Sequence, residues 1–560
     1  AVKGILASCN KPFSVIESAK KEYRNLSLPD GQSLCVYTMG KPEINCLQFN
    51  PFYVQRGVSL QTHIDYLKDL FNASFSFYGP MTYILEKCLH NIYQKKGWNQ
   101  TLGYHPYLIN LKSATDVFDS EYMRRRYEMK SSCFLFPTMQ DLKDEVKRYI
   151  ENEMKYEGDV GSNIKAAILA RLESLCVGSK GYMFNTRRCM DMDSLMEQKA
   201  VFELEGLADD ADKAFCVGLL IIFINEFRQV YQDEHANEKS GLRHLLVIEE
   251  AHRLLKNMET ERVSENMGNP KGKAVEHFTN MLAEMRSYGQ GVIIAEQIPC
   301  KLAPDAIKNS SNKIIQRLVS ADDQRLAANA IGMKEEEAVY LGSLKKWEAL
   351  CHKEGMSLPV HVAVHPVEDQ HVSDSDLIAG AMDAIFAKIN DRMTCEKLGK
   401  IQDSVSLKLL NTLLALDEGA IEKAVKRSKE QMERELERAD VSLLPGKASE
   451  LFGNILADWL LSLLCGSIYG FGSLADDELY EAVHRLCVTG RTEYVKQVKE
   501  KLSSLYGRDT GNHCKLILCE LLKNRYSSVV NLEASIRAYF FEVPASLVNE
   551  IGMRIKGGDE

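Results

Sequence analysis

Short apolar runs rich in β-branched residues alternate with longer amphipathic stretches from Phe13 to Val364, and this alternation limits the possible folds more than any other feature of the chain. Runs such as Leu245-Leu246-Val247-Ile248 have no polar position to turn toward water, so they suit strands buried on both faces, as in a parallel sheet. Strand–helix alternation points to an α/β architecture. Strands are expected at 13–17, 34–38, 201–207, 244–249, 291–297, 313–318, 348–351 and 360–364, the last two closing the sheet. Residues 1–9 look like the end of a helix, and further helices are expected within 59–97 and at 141–155, 161–176, 210–232, 273–288 and 321–331. Thr138 or Asp141 would cap the 141–155 helix. Residues 181–188 are expected to be a loop and 253–272 a mobile polar segment.

Beyond Val372 the pattern becomes nearly continuous helix, at 417–440, 448–466, 474–489, 491–506, 511–524 and 531–540, interrupted at Leu443-Leu444-Pro445-Gly446. The expected partition is an α/β core of 1–58 and 178–370, a mostly helical insertion of 59–177, and a helical C-terminal domain of 371–560 subdivided near 443. At 560 residues the chain is too long for one core. The net charge of −9 excludes a protein coated in positive charge, but not one holding nucleic acid in a locally basic channel. Fifteen cysteines without CxxC pairs fit buried thiols in a reducing, cytoplasmic setting better than a disulfide framework. The His513, Cys514 and Cys519 group lacks paired zinc spacing. No unbroken apolar run reaches the ~18 residues of a membrane span, so no membrane partner is expected. Arg124-Arg125-Arg126 suits a solvated helix face.

The strand at 244–249 runs into two carboxylates, Glu249 and Glu250. Open parallel sheets bind ligands outside the carboxyl ends of their strands. One acid there can hold a hydrated Mg²⁺ while the next polarises a water, the two tasks phosphoryl transfer needs. The other possibility is a strand leaving the core with its acids merely solvated. Gln297 ends the following strand, and Arg317 ends another after Asn312. An amide beside the acids can orient the water, and an arginine can stabilise transition-state charge.

These stretches resemble the HerA/FtsK group of P-loop ATPases, in particular bacterial HerA-like ATP-binding proteins. The resemblance lies in PFSVIESAKKEYRNL (12–26), VFELEGL (201–207), GLRHLLVIEEAHRLL (241–255) and the stretch from Gly272 to Leu318, and covers roughly 1–365. It implies a parallel-sheet RecA/ASCE-like core and an ATPase that assembles as a homo-oligomeric, usually hexameric, ring. Such a ring would use ATP and Mg²⁺ on double-stranded DNA, often beside a nuclease or other effector. Carried over, Glu249 would take the magnesium-side role of Walker B through water, Glu250 the catalytic base and Gln297 the sensor. Arg317 would be the finger into the neighbouring site, with Arg286 second. His252 would link Glu250 to the following helix or cap it.

One element departs from that family. A Walker A loop, GxxxxGK followed by Ser or Thr, is absent: Gly40-Lys41 precedes Pro, Gly272-Lys273 and Gly446-Lys447 precede Ala, and Gly399-Lys400 precedes Ile. Ala1 to Cys9 resembles the helix that follows such a loop, so the expectation is a chain beginning just after it, without the first strand or an upstream β-barrel. Two readings of different class therefore stand: a DNA motor, and an interaction scaffold with an ATPase-like core. A DEAH-type helicase shares Glu250-Ala251-His252 but lacks its other motifs. The helical tail suits packing or an effector surface, and a helix-turn-helix within 474–510 has weak support.

Overall fold

The computed structural model describes all residues except 29–33, 76, 78–79, 112, 114–115, 155–158, 189, 236–240, 259–268, 379–381, 416, 440–447, 466–476, 508–509, 512–513, 515–516 and 518–560. Residues 259–268, half of the mobile segment expected at 253–272, lie outside the described residues, as do the break at 443–446, most of the helices expected at 511–524 and 531–540, and the residues His513 and Cys519. The chain divides into two units, one of 1–89 and 138–385, the other of 90–137 and 386–560. The helical stretch 59–177 is thus shared between them.

The first unit is α/β, as the alternation requires. Five parallel strands, β1 (Phe13–Glu17), β2 (Cys35–Thr38), β3 (Lys199–Glu203), β4 (His244–Glu249) and β5 (Gln290–Ala295), form a sheet in the order β2-β3-β1-β4-β5. Every residue of β1 is buried, as its apolar composition demands. One face carries Phe13, Val15, Val36, Val201, Leu245 and Val247, packed with Leu6 of the Val2–Ser8 helix and with Tyr23 and Leu26. Helices Leu60–Ser74, Asp210–Glu234 and Pro270–Glu284 pack on one another, and Gly218 of the second lies where a Cβ would come 2.4 Å from Leu70. At the amino ends of the strands, Ser14, His244 and Gln290 form a buried hydrogen-bonded row. Burial, then the charge of nearby Arg228, lowers the pKa of His244 to about 3, so its imidazole is neutral.

Two expectations change here. Residues 313–318, 348–351 and 360–364 do not extend the parallel sheet. They form a separate antiparallel sheet of β6 (Asn312–Ile315), β7 (Glu348–Lys353) and β8 (Val360–Ala363). The connection at 354–359 is too short for a parallel crossover, and β6 alternates exposed and half-buried positions. Residues 178–184, expected as part of a loop from 181, are helical, because Tyr182, Met183 and Phe184 are buried together. The Met139–Asn152 helix does begin at Thr138, in a capping box with Asp141.

The second unit is helical. Its described helices include Met382–Leu414, Glu418–Arg438, Ala448–Cys465, Asp477–Thr489 and Thr492–Tyr506. Trp459, Leu460, Leu461 and Leu464 are buried, while Leu463 is half-buried. Arg124 and Arg125 pair with Glu121 on their own helix, and Arg126 lies 4.5 Å over the Tyr107 ring. Two helices, Asp210–Glu234 and Ala448–Cys465, are long and apolar enough to cross a membrane, contrary to the expectation of none, and both are mostly buried.

Gly453 allows the Ala448–Cys465 and Asp477–Thr489 helices to approach closely: a Cβ there would lie 2.5 Å from Val488 Cα and 2.9 Å from Cys487 O. Because both neighbours are backbone, Gly453→Ala is expected to destabilise the helical unit by about 1–3 kcal/mol despite alanine's better helix propensity. Thermal unfolding followed by circular dichroism checks this.

Candidate active site

Register places the chemistry. Glu17 pairs with Glu203, Thr38 with Glu203, and Ile16 with Ile248, so Thr38, Glu203, Glu17, Glu249 and Ala295 form one row at the carboxyl edge of the sheet. Three adjacent strands thus end in glutamates, two of them almost inaccessible: Glu17 is 2% exposed and Glu203 1%. Buried carboxylates need partners, and the turn after β1 supplies them. The Glu17 carboxylate accepts the backbone N–H of Glu22 at 2.7 Å and of Tyr23 at 3.3 Å. This fixes the Tyr23–Asn25 turn. Arg24 then reaches Glu203, with Nε 2.6 Å from Oε1 and Nη2 on Oε2, and gives Nη1 to Asp374 at 2.6 Å. The Tyr23 hydroxyl donates to Glu249 Oε1 at 2.5 Å. Burial is the main cause that raises Glu17 to about 7, with the charges of Glu203 and Glu249 adding to it. Burial also raises Glu249, against the Tyr23 hydrogen bond and Lys20.

Glu250 has φ 52° and ψ 47°, a left-handed conformation uncommon for a non-glycine residue. Its N–H donates to Ala295 O at 3.0 Å, tying the end of β4 to that of β5. Its Oε2 accepts from Arg253 Nε at 3.0 Å and Nη2 at 2.7 Å, and Arg253 also pairs with Asp210. As arranged, Glu249 has one oxygen held by Tyr23, and Glu250 is engaged by a cation. Glu249 is suited to hold a hydrated cation through its second oxygen, and Glu250 can polarise a water through Oε1, which takes no part in the Arg253 pair.

His252 does not link to Glu250. Its Nδ1 lies 2.8 Å from Glu296 Oε2, and Glu296 Oε1 accepts the N–H groups of Gln297 and Ile298. Gln297 is exposed two residues beyond β5, close in sequence to this anchor. Glu249, Glu250, His252 and Gln297 thus gather at the ends of β4 and β5. Arg317 lies elsewhere, exposed beyond β6 on the antiparallel sheet. Arg286 is exposed, with Nη1 3.5 Å from Ser311 Oγ. Sequence reasoning missed Glu17, Tyr23, Arg24, Glu203, Arg253, Glu296 and Asp374. The one available signal was the concentration of acids at strand ends.

The chain is similar to VirB4 of Thermoanaerobacter pseudethanolicus. That likeness has a TM-score of 0.45 at 16% identity, over 64% of this chain and 82% of VirB4. The bacterial conjugative coupling protein TrwB follows, with a TM-score of 0.39 at 9% identity over 66% of this chain and 82% of TrwB. The genome packaging NTPase B204 from Sulfolobus turreted icosahedral virus 2, solved with AMP, scores 0.21 at 17% identity over 32% of this chain and 73% of B204. No known family pattern and no curated protein matches the chain. These distant likenesses carry none of the functional reading, which rests on the site itself.

Proposed function

We propose that the chain acts in a Mg²⁺-dependent ATP-hydrolysing motor of the HerA/FtsK type, in the cytoplasm as a homo-oligomeric, hexameric ring on double-stranded DNA beside a nuclease or other effector. The observation that carries this is the placement of Glu249 and Glu250 at the carboxyl end of β4, in register with β5 and its Glu296-Gln297 extension. In this reading Glu249 holds the metal through water, Glu250 is the base, Gln297 senses the phosphate, and Arg317 or Arg286 reaches a neighbouring subunit. Bound Mg²⁺ and ATP would supply charge neutralisation and the reacting phosphoryl group.

The donor set at Glu249 fits such a cation, whereas the phosphate-holding loop is absent from these residues. Among the described residues β5 pairs only with β4, and all of it after Gln290 is half-exposed, although an internal parallel strand is ordinarily covered. That supports a further strand beside β5, bringing a Walker A loop from polypeptide outside these residues. The 560 residues alone are then expected to bind ATP weakly or not at all, measurable by calorimetry.

The motor reading is tested by DNA-stimulated ATP hydrolysis of the protein expressed from its own gene. Glu250→Gln should lower turnover about 10²- to 10⁴-fold, the usual contribution of a general base. Turnover indifferent to Glu250→Gln would reject the assignment. The second reading, a scaffold without a competent nucleotide site, is favoured by the Arg253–Glu250 ion pair and the missing loop. Absence of DNA-stimulated turnover in the native protein would support it.

A further inference from the structure

The segment that follows β8 returns to the turn holding Glu249. Lys3 pairs with Asp369 at 2.8 Å, and Asp369 forms an antiparallel bridge with Leu26. Gln370 N donates to Asn25 O at 2.7 Å, and Val372 N to Asn25 Oδ1 at 3.0 Å. Gln370 Nε2 reaches Ser27 Oγ at 3.0 Å. Asp374 receives Arg24 at 2.6 Å and Lys21 at 3.2 Å. Val367 and Leu377 pack against the same apolar cluster as Leu6 and Tyr23. Six polar contacts therefore converge on residues 3 and 21–27, and none of them reaches Glu249 directly.

We propose that residues 367–377 are a strap that sets the position of Glu249 through Tyr23 and Arg24, which makes these two positioning residues for the acid. The chain of contact is short. Asp374 orients the Arg24 guanidinium, whose other edge is fixed on buried Glu203. Arg24 and Tyr23 are neighbours on one turn, whose backbone is held by Glu17. The Tyr23 hydroxyl then holds one oxygen of Glu249, while Ser18 Oγ donates to the Glu249 carbonyl at 3.0 Å. Releasing the strap frees one side of Arg24 and loosens the turn, so the carboxylate loses its fixed direction. The role of Glu249 toward a metal rests on the preceding reading; the hold of the strap on Glu249 does not.

Hydrogen–deuterium exchange of the nucleotide-free 560-residue protein separates the two. Asp374 is 39% exposed on its side chain, so Asp374→Asn should leave the fold standing. The expected result is exchange about fivefold faster, as weakening of the half-exposed ion pairs of Asp374 allows, in 365–378, 21–27 and 247–252, with β2 and β3 unchanged. Asp374→Glu should recover most of the protection. Tyr23→Phe should loosen 247–252 and leave 365–378 protected. Faster exchange of the strap in Asp374→Asn with 247–252 unaffected would overturn the proposal, as would uniform loosening of the whole unit.

Discussion

Arg24→Ala is expected to lower the unfolding free energy of the first unit by about 3–5 kcal/mol, the range found when one partner of a buried ion pair is removed. Arg24 is 4% exposed and Glu203 1%, so water cannot replace the lost guanidinium without opening the sheet edge. The deficit arises less from the attraction lost than from the desolvated carboxylate left behind. Arg24→Lys should recover only part of it, because one ammonium cannot span both Glu203 oxygens and Asp374 as the planar fork does. Urea unfolding at neutral pH measures both variants. A loss below about 1 kcal/mol for Arg24→Ala, the level of a surface pair, would show that this pair does not neutralise the row of acids.

The second large effect is a dependence on pH set by Glu17. Its folded pKa is raised to about 7 from 4.5, chiefly by burial, so between these values the folded protein keeps a proton that the unfolded chain releases. Stability contributed by this group is therefore fully present below about pH 4.5, falls as pH rises toward 7, and is constant above that. The span corresponds to about 3 kcal/mol. Glu17→Gln keeps an oxygen for only one of the Glu22 and Tyr23 N–H groups but cannot ionise, so its stability relative to the wild type should rise steadily from pH 5 to 7.5. His244 acts in the opposite sense, since its depressed pKa costs stability as pH falls below 6.5. The comparison must therefore be made as a difference between variant and wild type in denaturant melts across that range. An unchanged difference would mean that Glu17 is ionised throughout.

The parallel strands were legible because burial on both faces leaves an unbroken apolar run. The paired acids after Ile248 were legible because two adjacent carboxylates at a strand end are chemically conspicuous. The rest depended on relations that a linear reading cannot weigh. Nothing local in Tyr23 or Arg24 announces Glu249 or Glu203, which lie more than 170 positions away. Glu17 looks like any polar residue ending a strand until register sets it between Glu203 and Glu249. The run at 313–318 has the composition of a core strand, and its antiparallel pairing with Glu348–Lys353 is settled by a distant partner rather than by its own residues. The sequence offers His252 a link from Glu250 to the following helix or a cap contact, whereas Glu296, just beyond β5, holds it.

The division of the chain into interrupted units has a consequence for its synthesis. Residues 90–137 leave the ribosome between two parts of the α/β unit, long before residues 386–560, with which they belong, exist. The central strand β1 must likewise wait for β3 and β4, since Phe13 pairs with Lys199 and Leu245. The first unit can close only once residues up to 385 have emerged, and the second must wait longer still for residues beyond 386. The apolar face of β1 and the aromatic residues Trp98 and Phe134 are then exposed together in the nascent chain, a condition that favours slow folding and makes chaperone protection valuable.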